Sequence, residues 1–322
     1  MTFAGSRGRF EERLVPEAGY EFDAFEISGV PRRPGIAQVR AAMRAVGAVR
    51  ACRRILERRR PDVVLGGGGY AAGPMVLAAA GRRLQTALME ADAHLGLANR
   101  VAAPFARRIF LSFPISGREG GKYRVTGRPI PPVSRVTITR EEARRRFFFE
   151  QGPVLLVFGG SQGARSLNEL VVESFGAAGP ALLHVSGERD FPMLARRVSR
   201  PDYRLLPFVP DFGTALAAAD LVLARAGGSV WELAAAARPA ILVPYPFATA
   251  DHQTKNARYF EHAGGAIVVP ETELGLVPDL ARSLLGDPER LAEMAAAMRR
   301  VARPDAADEI AEELIALAAA RR

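Results

Sequence analysis

The sequence predicts an α/β protein composed of two doubly wound domains, each built from parallel strands that alternate with helices. Short apolar runs alternate with helical stretches along the whole chain, which is typical of βα units. Two of the apolar runs end in glycine-rich turns. A proline-rich stretch at residues 128–133 is too stiff for a helix and separates two series of strands. The length of 322 residues is sufficient for two domains with their own cores.

The predicted strands define the two domains. The first series is Thr2–Gly5, Phe22–Ile27, Asp62–Leu65, Thr86–Glu90, Arg108–Ser112 and Val125–Gly127, and the second is Val154–Phe158, Leu182–Ser186, Arg204–Pro207, Leu221–Ala224, Ala240–Val243 and Ala266–Val268. A final helix over Asp305–Ala320 carries Ile310, Leu314 and Leu317 on one face, so we expect it to pack on the first domain. The predicted domains are residues 1–131 with 305–322, and residues 132–304.

The composition excludes several classes of protein. The single cysteine, Cys52, excludes an internal disulfide framework and a cysteine-based metal site. No apolar run is long enough to span a bilayer, which takes about 20 residues. The net charge of +9 comes without any aromatic-plus-basic module, so no nucleic-acid partner is expected. There is no Asp-x-Asp motif and no His/Cys cluster at metal-ligand spacing, and we predict no metal site.

The two glycine-rich turns are the most specific feature of the chain. Glycines let the backbone approach a ligand, and the N–H groups at a helix start point outward at the positive end of the helix dipole. Two such turns at one crevice suit a diphosphate attached to a larger group, which predicts a nucleotide-sugar site. The candidate binding residues are Ser161, Gln162 and Gly163 in the first turn, with Gly227, Gly228 and Ser229 in the second. Alternatively, Ser161 is an ordinary helix cap.

Other polar residues are candidates for the same site. Glu232 lies one turn into the helix that opens near Ser229. A carboxylate at this place can accept hydrogen bonds from the hydroxyls of a ribose. Alternatively, it is an acid that only the helix dipole stabilises. Gln253 shares a helical face with Asn256. Asp92 and His94 follow a predicted buried strand at its carboxyl end, so they are candidates for contact with substrates and for the unassigned catalytic base.

An arginine-rich stretch over residues 31–60 predicts a membrane-facing helix. Apolar Ile36, Val39, Met43 and Val46 recur at helical spacing among basic residues that include Arg40 and Arg44. An apolar stripe bounded by arginines suits a helix that lies on anionic lipid. The alternative is a helix that packs this stripe into the core of the first domain.

Motifs in both halves of the chain carry a family resemblance. They are Leu14-Val15-Pro16 with Gly19, Pro61 to Tyr70 with Gly73-Pro74, Leu97-Ala98-Asn99-Arg100, Gly159 to Ala164, Phe208-Val209-Pro210-Asp211, Arg225 to Gly228, and Asp251 to Ala257. In order and spacing, these motifs resemble the MurG family of UDP-N-acetylglucosamine transferases. The resemblance implies a GT-B type fold, in which two Rossmann-like domains face a cleft. It also implies metal-independent, inverting transfer of N-acetylglucosamine from UDP-GlcNAc to undecaprenyl-linked lipid I, forming lipid II for peptidoglycan.

The resemblance also implies roles for single residues. The family reads uracil through the backbone at the position of Val209, binds ribose with the counterpart of Glu232, and binds the donor sugar with the counterpart of Gln253. Asp92 stands where the family has Asn. The implied protein is peripheral at the cytoplasmic face of the cell membrane, with an anionic membrane surface among its partners.

Three departures from the family pattern stand out. The family begins with a strand, a Gly-Gly-Thr-Gly-Gly-His loop and a helix, and the histidine of that loop is its usual candidate for the catalytic base. Here the chain opens at the strand Thr2–Gly5, so we expect a longer native protein whose start lies upstream. Pro131 occupies the place of a family Arg, for which Arg128 is a candidate substitute, and the segment from Arg225 to Glu232 is one residue short.

Three other functions fit the same residues. The chain could be a UDP-sugar transferase that acts on another lipid, or a UDP-sugar epimerase of the same two-domain plan. From a different class, it could be a truncated UDP-binding protein without activity. The acceptor that is used, and whether transfer occurs at all, separate these alternatives.

Overall fold

The protein divides into two compact units. The computed structural model describes residues 1–27, 36–160 and 163–320, with the backbone alone for 36–45. The first unit comprises Met1–Thr126 with Asp308–Arg322, and the second comprises Gly127–Ala307. These bounds lie a few residues from the boundaries predicted after residues 131 and 304.

The first unit is built from parallel strands and the helices between them. Its elements are β1 (Thr2–Ser6), α1 (Phe10–Glu17), β2 (Glu21–Phe25), α2 (Ile36–Arg59), β3 (Val63–Gly66), α3 (Gly69–Ala80), β4 (Gln85–Glu90), α4 (Leu97–Ala102), β5 (Arg108–Leu111) and β6 (Tyr123–Val125). β1 pairs with β2, and a four-stranded sheet has the order β3-β4-β5-β6. Every pairing is parallel.

The core of the first unit forms where apolar strand residues meet the inner faces of α2 and α3. Cys52 and Leu56 of α2 pack with Phe25 of β2 and Val64 of β3 in one buried cluster. Cys52 is completely buried. These residues recur at helical spacing on α2, so the arginines between them fall on the outer face.

The helix that was predicted to face the membrane is the N-terminal part of α2. Ile36, Val39, Arg40, Met43 and Arg44 belong to the backbone of α2, and their side chains lie outside the described residues. Val46, the member of the stripe whose side chain is described, is 55% exposed. The following turns of α2 bury Ala48, Cys52, Ile55 and Leu56, which were not part of the predicted stripe, in the core of the first unit. No helix in the described part of the chain is both long and apolar enough to cross a membrane. Membrane contact therefore stays a prediction.

The second unit contains a larger parallel sheet. Its elements are α5 (Arg140–Arg146), β7 (Val154–Phe158), α6 (Arg165–Phe175), β8 (Ala181–Val185), α7 (Phe191–Leu194), β9 (Tyr203–Leu206), α8 (Phe212–Ala218), β10 (Leu221–Ala224), α9 (Val230–Ala235), β11 (Ala240–Leu242), α10 (His252–His262), β12 (Ala266–Val268), α11 (Val277–Leu285) and α12 (Pro288–Val301). The strand order is β12-β11-β10-β7-β8-β9.

The chain reverses direction across this sheet between β7 and β10. It builds β8 and β9 on one side of β7 and then returns to place β10, β11 and β12 on the other side. Both central strands are buried at every residue, as expected for strands covered on both faces. Such a reversal is the topological switch point, beyond whose carboxyl edge ligands bind in doubly wound sheets.

The last helix, α13 (Ala306–Ala319), packs on the first unit. Ile310 and Leu317 are buried against Phe110 of β5 and Ala87 of β4, with Leu314 beside them. Glu313 of the same helix forms a salt bridge with Arg108 at 2.9 Å. The predicted return of this helix to the first domain is thereby confirmed.

Every predicted strand is present, with its ends within two residues of the prediction. The strand predicted over Val125–Gly127 is instead β6 at Tyr123–Val125. Gly127 has a φ of 79°, outside the range of extended strands. The alternation of apolar residues locates strands well, but it does not detect a backbone that turns at a glycine.

We expect Ile310→Ala to destabilise the first unit by about 2–4 kcal/mol, because it leaves a cavity in a packed core. Ile310 is 5% exposed, whereas Ile315 on the same helix is 70% exposed. Ile315→Ala is therefore the matched control and should change the free energy of unfolding by less than about 0.5 kcal/mol. Urea denaturation of the purified proteins measures both. Equal effects would contradict the packing of α13 described above.

Candidate active site

The two glycine-rich turns leave the second sheet side by side. β7 and β10 are hydrogen-bonded neighbours, and Phe158 pairs with Ala224 as the last residue of each strand. Gly159 and Arg225 therefore leave the sheet at the same level. The structure thus brings both predicted turns to the switch point of one unit.

The first turn is shaped by glycines that have no room for a side chain. A Cβ on Gly159 would lie 2.3 Å from the backbone nitrogen of Ala164, and a Cβ on Gly163 would lie 2.3 Å from the carbonyl oxygen of Ser186. Gly163 also has a φ of 73°, which favours glycine. The N-cap position of α6 is Ala164, and no side chain caps the helix there. Ser161 and Gln162 lie outside the described residues, so their predicted roles stay predictions.

The second turn lies against a cation from the start of the same unit. Gly227, Gly228 and Ser229 are partly exposed and directly precede α9. A Cβ on Gly228 would lie 2.2 Å from the Nη1 atom of Arg128. A side chain at Gly228 would therefore displace this guanidinium from its place beside the turn, which the flexible arginine side chain allows. Arg128, the candidate substitute for the missing family Arg, is placed next to predicted ligand-binding backbone.

Glu232 lies in the first turn of α9 close to the same arginine. Burial raises the pKa of the Glu232 carboxyl above its usual range, while the Arg128 charge and a hydrogen bond with Ser134 act in the opposite direction. The predicted carboxylate is therefore held, partly buried, beside the second turn. A group that is desolvated before a ligand arrives has less hydration left to lose on binding.

α10 contributes two amides that hold the surrounding loops. The Gln253 Oε1 atom accepts a hydrogen bond from the backbone N–H of Tyr245 at 2.9 Å. Asn256 is fully buried, and its Nδ2 atom donates to the carbonyl of Ala226 at 3.4 Å. Asn256 thus fixes the residue that precedes the second turn, and Gln253 fixes the loop after β11.

Val209 follows β9, the strand at one edge of the sheet. It is 8% exposed and lies between exposed residues Phe208 and Pro210. β9 is separated from β7 by β8, so Val209 is two strands from the first turn. An extended ligand that reaches from the turns toward β9 would pass the carboxyl ends of these strands.

Arg225 was not a candidate from the sequence, but in the structure it connects several segments at the carboxyl edge of the second sheet. The residue is 8% exposed, and its Nη2 atom donates to the Ser166 hydroxyl at 2.9 Å. Its Nη1 atom donates to the carbonyl of Val243 at 3.2 Å and forms an ion pair with Glu271. The signal in the sequence was a charged residue directly after a fully apolar strand.

Asp92 and His94 lie in one loop of the first unit, after β4. The loop is shaped by Glu90, which is 6% exposed. The Glu90 carboxylate accepts hydrogen bonds from the backbone N–H of Gly96 and from Asn99 Nδ2, both at 2.8 Å, and from the N–H of Asp92 at 3.3 Å. The structure therefore brings both predicted residues together on a well-anchored loop, and their chemical role stays a prediction.

The sequence predicted no metal site. Among the side chains that the structure describes, no three or more His, Cys, Asp or Glu residues form a group that could hold a metal ion. The cations beside the two turns are instead arginines. Arg128 is partly exposed, whereas Arg225 is engaged with protein atoms.

Similarity to known proteins covers both units. The glycosyltransferase family 28 N-terminal domain matches residues 2–111, and the family 28 C-terminal domain matches residues 154–310. A protein of Rubrobacter xylanophilus is 39% identical over 322 residues, which cover 98% of this chain and 95% of the relative. A protein of Halorhodospira halophila is 42% identical, covering 97% of this chain and 88% of the relative. Both are named UDP-N-acetylglucosamine–N-acetylmuramyl-(pentapeptide) pyrophosphoryl-undecaprenol N-acetylglucosamine transferase.

The crystal structure of Acinetobacter baumannii MurG has the same fold. It matches with a TM-score of 0.77 and 25% identity, covering 97% of this chain and 90% of that one. The chain belongs to the MurG family. The predicted α/β class of the GT-B type, with two Rossmann-like domains, is confirmed for this MurG-family member, as is its assignment to the hexosyltransferases.

Because Gly163 lies close to the Ser186 carbonyl oxygen, a methyl group added at Gly163 should strongly lower the free energy of unfolding. We expect Gly160→Ala, at a φ of 87° with open space around it, to cost about 1–2 kcal/mol from backbone strain alone. Gly163→Ala adds a collision with a backbone oxygen and should cost about 1–3 kcal/mol more. Urea unfolding of the two ligand-free variants measures the difference. A loss of the same size in both would contradict the contact.

The raised pKa of Glu232 predicts a pH-dependent gain in stability for Glu232→Gln. At a pH below the ordinary value of 4.5 the carboxyl is neutral in both folded and unfolded protein, so the two variants should be equally stable. As pH rises through the raised folded pKa, the wild type must ionise a desolvated group and loses stability, whereas Gln does not. Thermal unfolding without nucleotide at pH 4, 6 and 8 should show a widening advantage for Gln. An advantage that shrinks toward pH 8 would contradict the assignment.

Proposed function

We propose that this protein transfers N-acetylglucosamine from UDP-N-acetylglucosamine to N-acetylmuramyl-(pentapeptide) pyrophosphoryl-undecaprenol, the lipid I acceptor, giving lipid II for peptidoglycan. The observation that carries the proposal is the match to transferases of this name along 98% of the chain. The site supports it, because two glycine turns meet at the switch point beside Arg128 and Glu232.

The donor binds at the carboxyl edge of the second sheet. Backbone N–H groups of Gly227–Ser229 hold the diphosphate, together with Ser161, Gln162 and the backbone beside Gly163, whose own N–H donates to the Gly160 carbonyl at 3.0 Å. The Arg128 guanidinium supplies positive charge beside the second turn. Glu232 accepts the ribose hydroxyls, the backbone at Val209 reads the uracil, and Gln253 binds hydroxyls of the sugar.

The reaction is a single displacement at the anomeric carbon. The C4 hydroxyl oxygen of the muramoyl sugar attacks that carbon, a base removes its proton, and the bond from the carbon to the phosphate oxygen breaks. The configuration inverts, and a β-1,4 bond forms. UDP leaves with its negative charge stabilised by the turn N–H groups and by Arg128, so no metal is needed in this proposal. Asp92 and His94 remain candidates for contact with the reacting groups, and the base is unassigned.

Access to the acceptor requires contact with the bilayer, because the undecaprenyl chain is buried in lipid. We propose that the protein is peripheral at the cytoplasmic face of the cell membrane. Ile36, Val39 and Met43 would enter the interface, and Arg40 and Arg44 would meet anionic headgroups. The basic balance of the chain, +9 overall, favours such a surface.

The test is an assay of purified protein with UDP-N-acetylglucosamine and lipid I, measuring UDP release and the mass of the lipid product with and without EDTA. Glu232→Ala should lower kcat/KM about 10- to 150-fold, since a hydrogen bond to a charged group contributes about 1.5–3 kcal/mol. Glu289→Ala is the matched control, because Glu289 is also an acid in the first turn of a helix, exposed on α12. The control should retain full activity.

Each alternative function gives a different result in this assay. Binding of UDP with no transfer to any acceptor would identify a UDP-binding protein without activity. Release of an epimer or of free sugar without acceptor would identify an epimerase, and transfer to diacylglycerol in place of lipid I would identify another lipid substrate. Each of these outcomes, or equal activity of Glu232→Ala and wild type, would overturn the proposal. Loss of product in EDTA would overturn its metal-independent step.

A further inference from the structure

A chain of buried polar side chains runs beneath the first glycine turn. It joins Tyr203 at the start of β9, His184 in β8, Asn168 in α6 and Asp190 before α7. These residues are 4%, 0%, 1% and 5% exposed, respectively. Polar groups at such depth cost free energy unless they are hydrogen-bonded, so their mutual pairing offsets the cost of burying them.

The pairing has a fixed direction. Asn168 Nδ2 donates to the carbonyl of Ser186 at 2.9 Å and to Asp190 Oδ2 at 3.0 Å. Both amide hydrogens are then used, so the atom that faces His184 Nε2 at 2.9 Å is Asn168 Oδ1, an acceptor. Nε2 therefore carries the ring proton, and Nδ1 accepts from the Tyr203 hydroxyl at 2.8 Å.

The charge state of the ring agrees with this direction. Burial lowers the pKa of His184 to about 3, so the imidazole is neutral at neutral pH. A neutral ring has one donor and one acceptor, which matches its two partners. Asp190, at the other end of the chain, is held by Arg189 at 2.8 Å.

The chain of hydrogen bonds reaches the carbonyl oxygen of Ser186, which lies next to Gly163 of the first turn. The carbonyl oxygen of Ser186 accepts from Asn168 and is the same atom that a Cβ on Gly163 would meet at 2.3 Å. Asn168 lies in the first turn of α6, which begins at Arg165. The end of β8, the turn and the start of α6 are therefore joined through one amide.

We propose that Tyr203, His184 and Asn168 are positioning residues that hold Gly163 and the start of α6 in the geometry that binds the donor's phosphates. They act through the Ser186 carbonyl without touching the ligand. The inference rests on the proposed function, since it requires a phosphate-bearing donor at this turn. It further assigns phosphate recognition, and not recognition of the nucleoside, to this network.

The experiment compares UDP with uridine, which lacks phosphates, by calorimetry on the full chain. His184→Met places an apolar side chain of similar length in the core and removes both the N–H donor to Asn168 and the acceptor of the Tyr203 hydroxyl. The Kd for UDP should rise about tenfold, as for a buried acceptor left unpaired, while the Kd for uridine should change less than about twofold. His184→Gln restores an N–H donor and should return the UDP affinity to within about threefold of wild type.

Two further variants make the test independent of folding defects. His262→Met changes an exposed histidine of the same unit and should leave both affinities unchanged. Tyr203→Phe deletes one oxygen atom and should weaken UDP alone by about threefold, in proportion to one neutral hydrogen bond. Tyr203→Phe therefore decides the question if His184→Met does not fold.

Three results would overturn the inference. Equal losses for UDP and uridine would mean that the network only stabilises the fold. Unchanged UDP affinity in both His184→Met and Tyr203→Phe would mean that the network does not reach the turn. A wild-type protein that fails to bind UDP would overturn the proposed function, and this inference with it, which the wild-type titration shows separately.

Discussion

The second unit depends on the parallel pairing of β7 with β10. These two strands are separated in sequence by two complete βα units, yet they are neighbours at the centre of the sheet. Both are buried at every residue, so neither can slide without exposing apolar side chains to water. The loops that follow β7 and β10 therefore start from fixed, neighbouring positions and continue to opposite sides of the sheet. In doubly wound folds, this separation of the two loops creates the crevice in which ligands bind.

The polar side chains around this edge mostly hold backbone in place. Arg225 binds the carbonyl of Val243, Asn256 binds that of Ala226, and Asn168 binds that of Ser186. Each of these carbonyls lies just beyond a strand, where the ladder of the sheet can no longer satisfy it. A rigid rim built this way leaves little conformational entropy to lose when a ligand binds.

The sequence predicted the strands and the two turns because those features are local. An apolar run followed by glycines can be recognised within about ten residues of sequence. The buried strands were therefore placed to within two residues. Arg225, His184 and Asn168 were missed because each owes its role to partners far along the chain, such as Ser166 for Arg225 and Tyr203 for His184. Asn256 was grouped with Gln253 as a possible ligand residue, since a shared helical face does not reveal which of two amides is buried.

The depth of Cys52 has a practical consequence for studying motion in this protein. The thiol is fully buried in the core of the first unit, and burial raises its pKa to about 12. The thiolate is the reactive form, so at neutral pH this cysteine should be inert toward maleimides. One cysteine introduced on the surface of each unit can then carry a fluorophore or spin label without removal of the native one, so the pair of labels reports distances in solution.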